Sequence, residues 1–528
     1  MIEQSPLNLI EKRLFLFGGF ALLFAFYFNL GVYPLLLEEP RRALIALEML
    51  FNDNIWVPTQ TGELYYRKPP VYNWLLIGSF KLFGEANELA IRFFSVASHL
   101  LSGLMVYVFT KRYINIRVAV FTFFGFLLSA DILTYFSTLG EIDLFYALVT
   151  SLSIFLIFYY GEKEAYGKLF LSVYFLTSIG FLTKGLTSVP FTAISLLVFF
   201  IQKKEFKRFL GIQHMLGILL FTSIIFGYFY QYNKYEDVSG WWSTLISESA
   251  DKATGGGFNA FIGQIVTFPF EIIKILLPAT LFIPLFFIKG TRSKLKQNEF
   301  VWFCLLIFIF NFPLYWFSIG ARSRYIYPLF PFAVVVLTYL AMSISHEGLL
   351  KFLKVIAYFC LSVMLIVLPA SLFIDSVRPV NGLVFYIIPL MLILGVLAYL
   401  FYQKRIRAYV VILLVFIVVK LTMSSIVPEI RAKTSGAASD KKIAAEIAEM
   451  TKGERVNRLN DLRISLGIVF YLEREKKDIL RSADKLTEGF YFAKPENMED
   501  SNISFDIKKE FLYRQDKIWL ISIDKPKP

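Results

Sequence analysis

Cysteine is nearly absent. Two residues in a chain of 528, Cys304 and Cys360, both lie inside apolar runs, so the sequence offers neither a disulfide framework nor a Cys/His metal pattern. Histidine is almost as scarce, and His99, His214 and His346 are too scattered to mark a metal centre or a catalytic triad. Charge is sparse as well, at 18% of residues, and what there is falls in short clusters. There is no internal repeat at the periods of about 20 to 50 residues that announce solenoids and propellers, and no low-complexity segment. What the chain has in excess is apolar surface: 56% hydrophobic and 18% aromatic residues, with a mean hydropathy of +0.59. A water-soluble enzyme is excluded by that composition. The apolar runs have the length of about 20 residues that crosses a bilayer, so the chain reads as a polytopic α-helical membrane protein.

The net charge of +13 would point to nucleic acid in a soluble protein. Here the basic residues sort by side of a membrane instead, and no nucleic-acid partner is expected. Thirteen spans are expected, near 14–37, 89–110, 117–133, 143–160, 169–183, 185–201, 212–231, 271–288, 300–318, 325–343, 352–374, 381–402 and 408–427. The uncharged stretch from Leu14 to Leu37 is too long for a signal-peptide core and ends in Glu38-Glu39-Pro40-Arg41-Arg42, so it reads as a first anchor. With the N-terminus cytoplasmic, the inner segments carry twenty Lys and Arg and the short outer loops carry four: Lys184, Arg322, Arg324 and Arg378. That asymmetry sets the orientation. It also favours two spans meeting at Lys184 over one long helix, which would invert every later loop.

Two outer segments, 38–88 and 232–270, are too long to be simple connectors. The expected division is a transmembrane domain over 1–428 and a soluble α/β domain over 429–528 on the non-cytoplasmic side. In the first outer segment, Ala43, Leu44, Leu47, Leu50 and Phe51 form a helical stripe, and Val71 to Phe83 mixes Tyr72 and Trp74 with Lys81. Both read as helices lying in the membrane interface. The tail opens with a helical pattern from Asp440 to Ala448 and closes with a hairpin pattern, Phe505 to Leu512 and Ile518 to Ile523. It carries no phosphate loop or nucleophile motif and reads as a stability or partner module.

Ionisable residues gather at the outer ends of spans. The adjacent carboxylates and guanidiniums of Glu38-Glu39-Pro40-Arg41-Arg42 suit an interfacial anchor, or a general base beside anion-binding residues, because partial desolvation and nearby cations tune a carboxylate's basicity. This stretch is followed by Glu48-Met49-Leu50, Trp56-Val57-Pro58, Gly62-Glu63-Leu64-Tyr65-Tyr66-Arg67-Lys68-Pro69-Pro70 and Leu82-Phe83-Gly84 to Arg92. The ordered set resembles the first outer loop of the lipid-dependent GT-C glycosyltransferases. Within them it is most similar to the protein-mannosyltransferase superfamily (family 39/83-like), in the branch of the lipid A aminoarabinose transferases.

The resemblance implies an inverting transfer of a sugar from a polyprenyl-phosphate donor in the outer leaflet of a bacterial inner membrane, with the active site periplasmic. The implied acceptor is a hydroxyl or phosphate of lipid A, another glycolipid or glycan, or a protein. In this reading Glu38 and Asp143 are the catalytic acids, while Arg41, Lys68 and Lys184 hold the departing lipid phosphate, which guanidinium and ammonium groups stabilise well in a low-dielectric groove. Arg322, Arg324 and Tyr325 read either as a donor-phosphate clamp or as interface anchors. Glu39, Trp241, Trp242 and Glu248 are substrate-contact candidates, with an aromatic belt the alternative for the tryptophans. The chain departs from the family where Glu38 replaces an Asp, and where Arg67 stands in place of the Glu that holds a divalent metal in some relatives. No obligatory metal or other cofactor is therefore expected. The lack of a Gly-x-Gly-x-x-Gly turn fits a lipid-phosphate donor. A lipid-linked sugar transporter or flippase is the competing class; it calls for ionisable residues near mid-span and for related halves.

Overall fold

A computed structural model of the chain describes residues 6–244, 247, 257–378, 380–459, 462–499 and 503–523. It contains two compact units: one of Met1–Leu30, Arg92–Tyr230 and Val238–Ile430, and one of Gly31–Ile91, Gln231–Asp237 and Arg431–Pro528.

The first unit is all helical. Among the described residues ten helices are long and apolar enough to cross a membrane, or eleven when the bent pair Ile116–Leu127 and Ala130–Thr138 is taken as one span. Several of the expected spans depart from straight helices, and the reasons are local. Helix α1, Leu9–Tyr27, stops ten residues before the expected end of the first span, and its first turn carries Glu11 in a capping box with Asn8. The apolar run near 117–133 bends by 52° between its two helices. The span expected at 271–288 is a helix Phe258–Ile275 followed by a 3₁₀ segment Ala279–Phe287, with Pro278 ahead of the segment and Pro284 within it. Proline cannot donate to a helical ladder and clashes with the preceding turn, so the helix ends where these residues begin. The second outer segment accordingly gives way to helix at Phe258, before residue 270.

The two helices expected to meet at Lys184 are present as Tyr166–Lys184 and Ser188–Lys203. Gly185 turns the chain between them at φ +82°, a conformation that a side chain would strain. Helix Ile142–Gly161 packs against both. At its far end a Cβ on Gly161 would lie 2.1 Å from the ring of Phe199, the kind of close approach that small residues permit between spans. Where α1 and helix Ala408–Thr434 begin, Glu11 is buried against Arg407 at 2.6 Å. Within Ala408–Thr434 the buried Lys420 donates to Ser137 Oγ at 2.9 Å and sits 5.0 Å from the ring of Phe26.

The second unit joins the first long segment to the tail. Helix α2, Glu39–Phe51, starts with Pro40 in its first turn, where a missing N–H costs nothing. Strands β1, Thr59–Gln60, and β2, Glu63–Leu64, form a hairpin whose two turn residues, Thr61 and Gly62, both have positive φ, matching the right-handed twist of the strands. Helix α3 spans Val71–Phe83. In the tail, helices Gly436–Met450 and Leu466–Lys476 accompany a five-stranded sheet ordered β4-β3-β5-β7-β6, where β3 is Val456–Leu459, β4 Ser482–Ala483, β5 Gly489–Ala493, β6 Asp506–Tyr513 and β7 Asp516–Ile523. The terminal hairpin expected from sequence is β6–β7. Leu459, Tyr491, Met498, Ile521 and Ile523 form the sheet's core.

Helix α2 was expected to lie on the membrane interface. Instead it packs against helix Leu466–Lys476, and Ala43, Leu44, Ala46 and Met49 are fully buried. An amphipathic stripe reports only that something apolar covers it; here the cover is protein. Three groups of the tail, Lys441 at 2.6 Å, Tyr471 at 3.1 Å and Arg474 at 3.8 Å, converge on the carboxylate of Glu88.

Candidate functional site

The expected site residues fall into two clusters, one in each unit. In the helical unit Asp143 lies in the first turn of helix Ile142–Gly161, where the exposed backbone N–H groups favour a carboxylate. Lys184, at the end of the neighbouring antiparallel helix, donates to Asp143 Oδ1 at 2.6 Å. Arg324, at the start of the Ser323–Leu329 turn, brings Nε to 3.5 Å from Asp143 Oδ2 and a terminal nitrogen to 3.8 Å from Glu141. Side-chain exposure is 8% for Lys184, 2% for Asp143 and 14% for Arg324. The Lys184 ammonium stands 4.5 Å from the centre of the Tyr325 ring and 4.9 Å from that of Tyr146, distances at which the ring quadrupoles attract a cation. Close by, Tyr327 donates to Asp131 at 2.5 Å.

Sequence reading named Asp143, Lys184, Arg324 and Tyr325 and passed over Glu141, Asp131 and Tyr327. Glu141 had a signal, since it sits two residues before Asp143 at the same helix start. Asp131 follows an apolar run whose bend could not be seen. Arg322, by contrast, is exposed and makes no ion pair among the described residues. Trp241 is buried among Phe181, Phe229 and Trp242. Trp241 keeps 2% exposure against 41% for Trp242. Glu248 lies outside the described residues.

In the second unit Glu38 stands at the N-cap of α2 and accepts from Arg41 at 2.5 Å, with side-chain exposures of 34% and 27%. Glu39 is wholly buried, and its carboxylate accepts from the backbone N–H of Leu36 at 2.8 Å. That closes the turn entering α2. Arg42 is also buried and donates to the Tyr65 hydroxyl at 3.2 Å. Lys68 is half-buried directly ahead of Pro69-Pro70, where α3 starts. Below the hairpin, the buried Glu48 accepts from Thr59 Oγ1 at 2.7 Å and from the Gly62 N–H at 3.0 Å. Burial raises its pKa. Burial and the neighbouring Glu48 push Glu473 well above the ordinary carboxylate range.

Arg41 also lines a cavity of about 520 Å³ contained within this unit, together with Glu63, Arg67, Arg458, Arg463 and Arg514. The last three come from the tail and were not singled out by sequence, because their positions are far apart in the chain. Among the described residues no group of three or more His, Cys, Asp or Glu side chains is arranged to hold a metal ion.

Residues 67–228 match the family model described as dolichyl-phosphate-mannose-protein mannosyltransferase. A 400-residue alignment at 22% identity, covering 73% of the chain, pairs it with 76% of an uncharacterised protein of Aquifex aeolicus. The chain is 31% identical over 168 residues to an undecaprenyl phosphate-alpha-4-amino-4-deoxy-L-arabinose arabinosyl transferase of Wigglesworthia glossinidia brevipalpis, covering 31% of this chain and 30% of that one. It is 30% identical over 174 residues to a transferase of the same description from Proteus mirabilis, 32% of each chain. The chain thus spans about a third of the length of these named relatives. Among solved structures, ArnT from Cupriavidus metallidurans in the apo state superposes with a TM-score of 0.69 at 16% identity over 97% of this chain and 99% of that one. The undecaprenyl-phosphate-bound form of the same protein gives 0.70 at 17% identity with the same coverage. In fold this chain is similar to ArnT, and over residues 67–228 it matches the mannosyltransferase family model.

Proposed function

We propose that this protein transfers a sugar from a polyprenyl-phosphate donor to a hydroxyl- or phosphate-bearing acceptor, a glycolipid, glycan or protein, at the periplasmic face of a bacterial inner membrane. The named relatives and the lipid bound to the ArnT neighbour support that donor class. The distribution of Lys and Arg supports a cytoplasmic N-terminus and a periplasmic C-terminal unit.

The observation that carries the reading is the buried Asp143–Lys184–Arg324 cluster at the meeting ends of helices. Breaking a sugar–phosphate bond puts charge on the leaving lipid phosphate, and fixed cations in a dry site stabilise it without reorganisation. Lys184 and Arg324 supply those cations, and Asp143 holds them in place between turnovers. Proton abstraction from the acceptor needs a carboxylate with room to meet it. Glu38, a third exposed and held by one guanidinium, meets that need better than Asp143, which two cations occupy. Arg41 and Lys68 are the second unit's own candidates for phosphate contact in this reading.

The test is turnover of a radiolabelled polyprenyl-phosphate sugar by the full-length protein in detergent. The wild type is expected to release polyprenyl phosphate and label the acceptor, and Glu38→Gln, Lys68→Ala and Lys184→Met to lose most of that rate. Undiminished transfer by all three variants overturns the site. Movement of intact labelled lipid across vesicles without chemical change would establish the transporter instead.

A further inference from the structure

Between α1, helix Glu88–Tyr113 and helix Ile116–Leu127 lies a cavity of about 780 Å³, contained within the helical unit. Its walls are apolar: Leu16 and Leu23 from α1, Leu100 and Leu104 from the second helix, Val120 and Phe124 from the third. Gly19 opens the wall of α1, and a Cβ there would rest against the Phe124 ring at 3.8 Å. Charge is confined to one end. Helices α1 and Ile116–Leu127 run the same way, with Phe15 against Phe121 at 5.3 Å and Gly19 facing Phe124, so Lys12 and Arg117 share that end, beside Tyr107. No carboxylate lines the cavity among the described residues. The acid next to Lys12 in the chain, Glu11, is buried against Arg407 at 2.6 Å instead. Lys12 and Arg117 stand near the starts of their helices, where the backbone dipole favours an anion and gives a cation no local benefit.

From Lys12 to Leu23 the wall runs about 16 Å of helix, the depth of one leaflet in a hydrocarbon core about 30 Å thick. An apolar recess one leaflet deep, with two cations at its mouth, matches both halves of a glycerophospholipid: room for an acyl chain and partners for a phosphate. Tyr107 at the mouth suits the headgroup layer. The mouth lies at the far end of the helices from the proposed site. Tyr113, which closes helix Glu88–Tyr113, meets the Phe158 ring edge-on at 5.0 Å, and Phe158 stands about 22 Å of helix beyond Asp143. A lipid whose headgroup reaches Lys12 and Arg117 therefore sits in the leaflet opposite to the Asp143–Lys184 cluster and is not the donor. We propose that this recess is a binding site for an anionic glycerophospholipid, its phosphate held by Lys12 and Arg117 and one acyl chain lying along Gly19. The proposal is independent of the transferase reading.

The experiment returns an equimolar mixture of phosphatidylglycerol and phosphatidylethanolamine to delipidated full-length protein in detergent and identifies the retained lipid by native mass spectrometry. Wild type is expected to retain phosphatidylglycerol with about a 10- to 30-fold preference, because two cations at headgroup level favour the anion and oppose the ethanolamine ammonium. In Lys12→Gln/Arg117→Gln the preference falls below about threefold. Arg13→Gln/Arg112→Gln removes two cations from the same end that do not line the recess, and leaves the preference unchanged. Gly19→Leu keeps every charge, fills the recess and abolishes retention. Thermal unfolding in the same detergent separates a lost site from a lost fold: all variants unfold like wild type without lipid, and added phosphatidylglycerol raises Tm only in wild type and Arg13→Gln/Arg112→Gln. No preference in wild type, or an equal loss in Arg13→Gln/Arg112→Gln, shows lipid held by diffuse surface charge only and overturns the site. A full preference in Lys12→Gln/Arg117→Gln, or undiminished retention by Gly19→Leu, overturns it as well. Displacement of phosphatidylglycerol by equimolar polyprenyl phosphate would give the recess to the donor's chain and overturns it equally.

Discussion

The two charged regions of this molecule are built on opposite principles. In the helical unit, Lys184 and Arg324 are matched by Glu141 and Asp143, and the pairs are buried. In the second unit five guanidiniums face one carboxylate around an open cavity. A buried charge is tolerated only when paired, so the first cluster is a finished piece of structure whose geometry is held whether or not substrate is present. An excess of cations around a wet cavity is unfinished, and its field draws an anion in. The first region should therefore fail by losing structure and chemistry together, the second by losing binding alone.

The largest effects are expected where the charges are matched. Removing one partner from the buried pair, by Asp143→Asn or Lys184→Met, should destabilise the protein by about 3–5 kcal/mol as well as abolish transfer. The double variant should cost clearly less than the sum of the singles, a coupling that thermal unfolding in detergent measures. Additive losses would show that the pair is not a unit. Next comes Glu38→Gln, expected to lower kcat by about 10²- to 10⁴-fold. It should barely move Tm, because an exposed ion pair contributes at most about 1 kcal/mol. A large fall in Tm would mean that Glu38 is structural like its neighbour Glu39.

A smaller effect should come from the buried carboxyls of the second unit. Glu473 has its folded pKa raised above the unfolded value, so its contribution to stability is present below the ordinary carboxylate range and is lost as pH rises through the raised value. Glu473→Gln should therefore stabilise the protein at pH 7–8, by on the order of 1 kcal/mol, and flatten the dependence of Tm on pH. A variant less stable than wild type at that pH refutes the assignment. The smallest effect is expected at Arg322, where substitution by Gln should change transfer by less than about threefold, against a severe loss for Arg324→Gln. Equal losses would show that the exposed guanidinium also reaches the donor.

Much of this was legible in the chain. The fold class, the pair of helices meeting at Lys184 and the terminal hairpin follow from apolar run length, charge placement and alternation, whereas Asp143 and Lys184 were singled out as site candidates by the family resemblance. The shape of individual spans was not legible, because proline-broken and bent helices have the same composition as straight ones. Nor was the fate of α2: its stripe of Ala43, Leu44 and Leu47 fits a membrane surface and a protein partner equally well, and the partner lies more than 400 residues downstream.

Local physics thus determined by itself which segments are apolar enough to leave water, since that depends on neighbours within a turn or two of chain. Which carboxylates stay accessible and which close turns was decided only by tertiary structure. Glu38 and Glu39 are adjacent and chemically alike, yet one faces a guanidinium at a cavity's edge and the other is sealed against a backbone amide. The arginine-lined cavity of the second unit has the same origin, because electrostatic fields add in space, and residues 41, 67, 458, 463 and 514 become neighbours only when the chain folds.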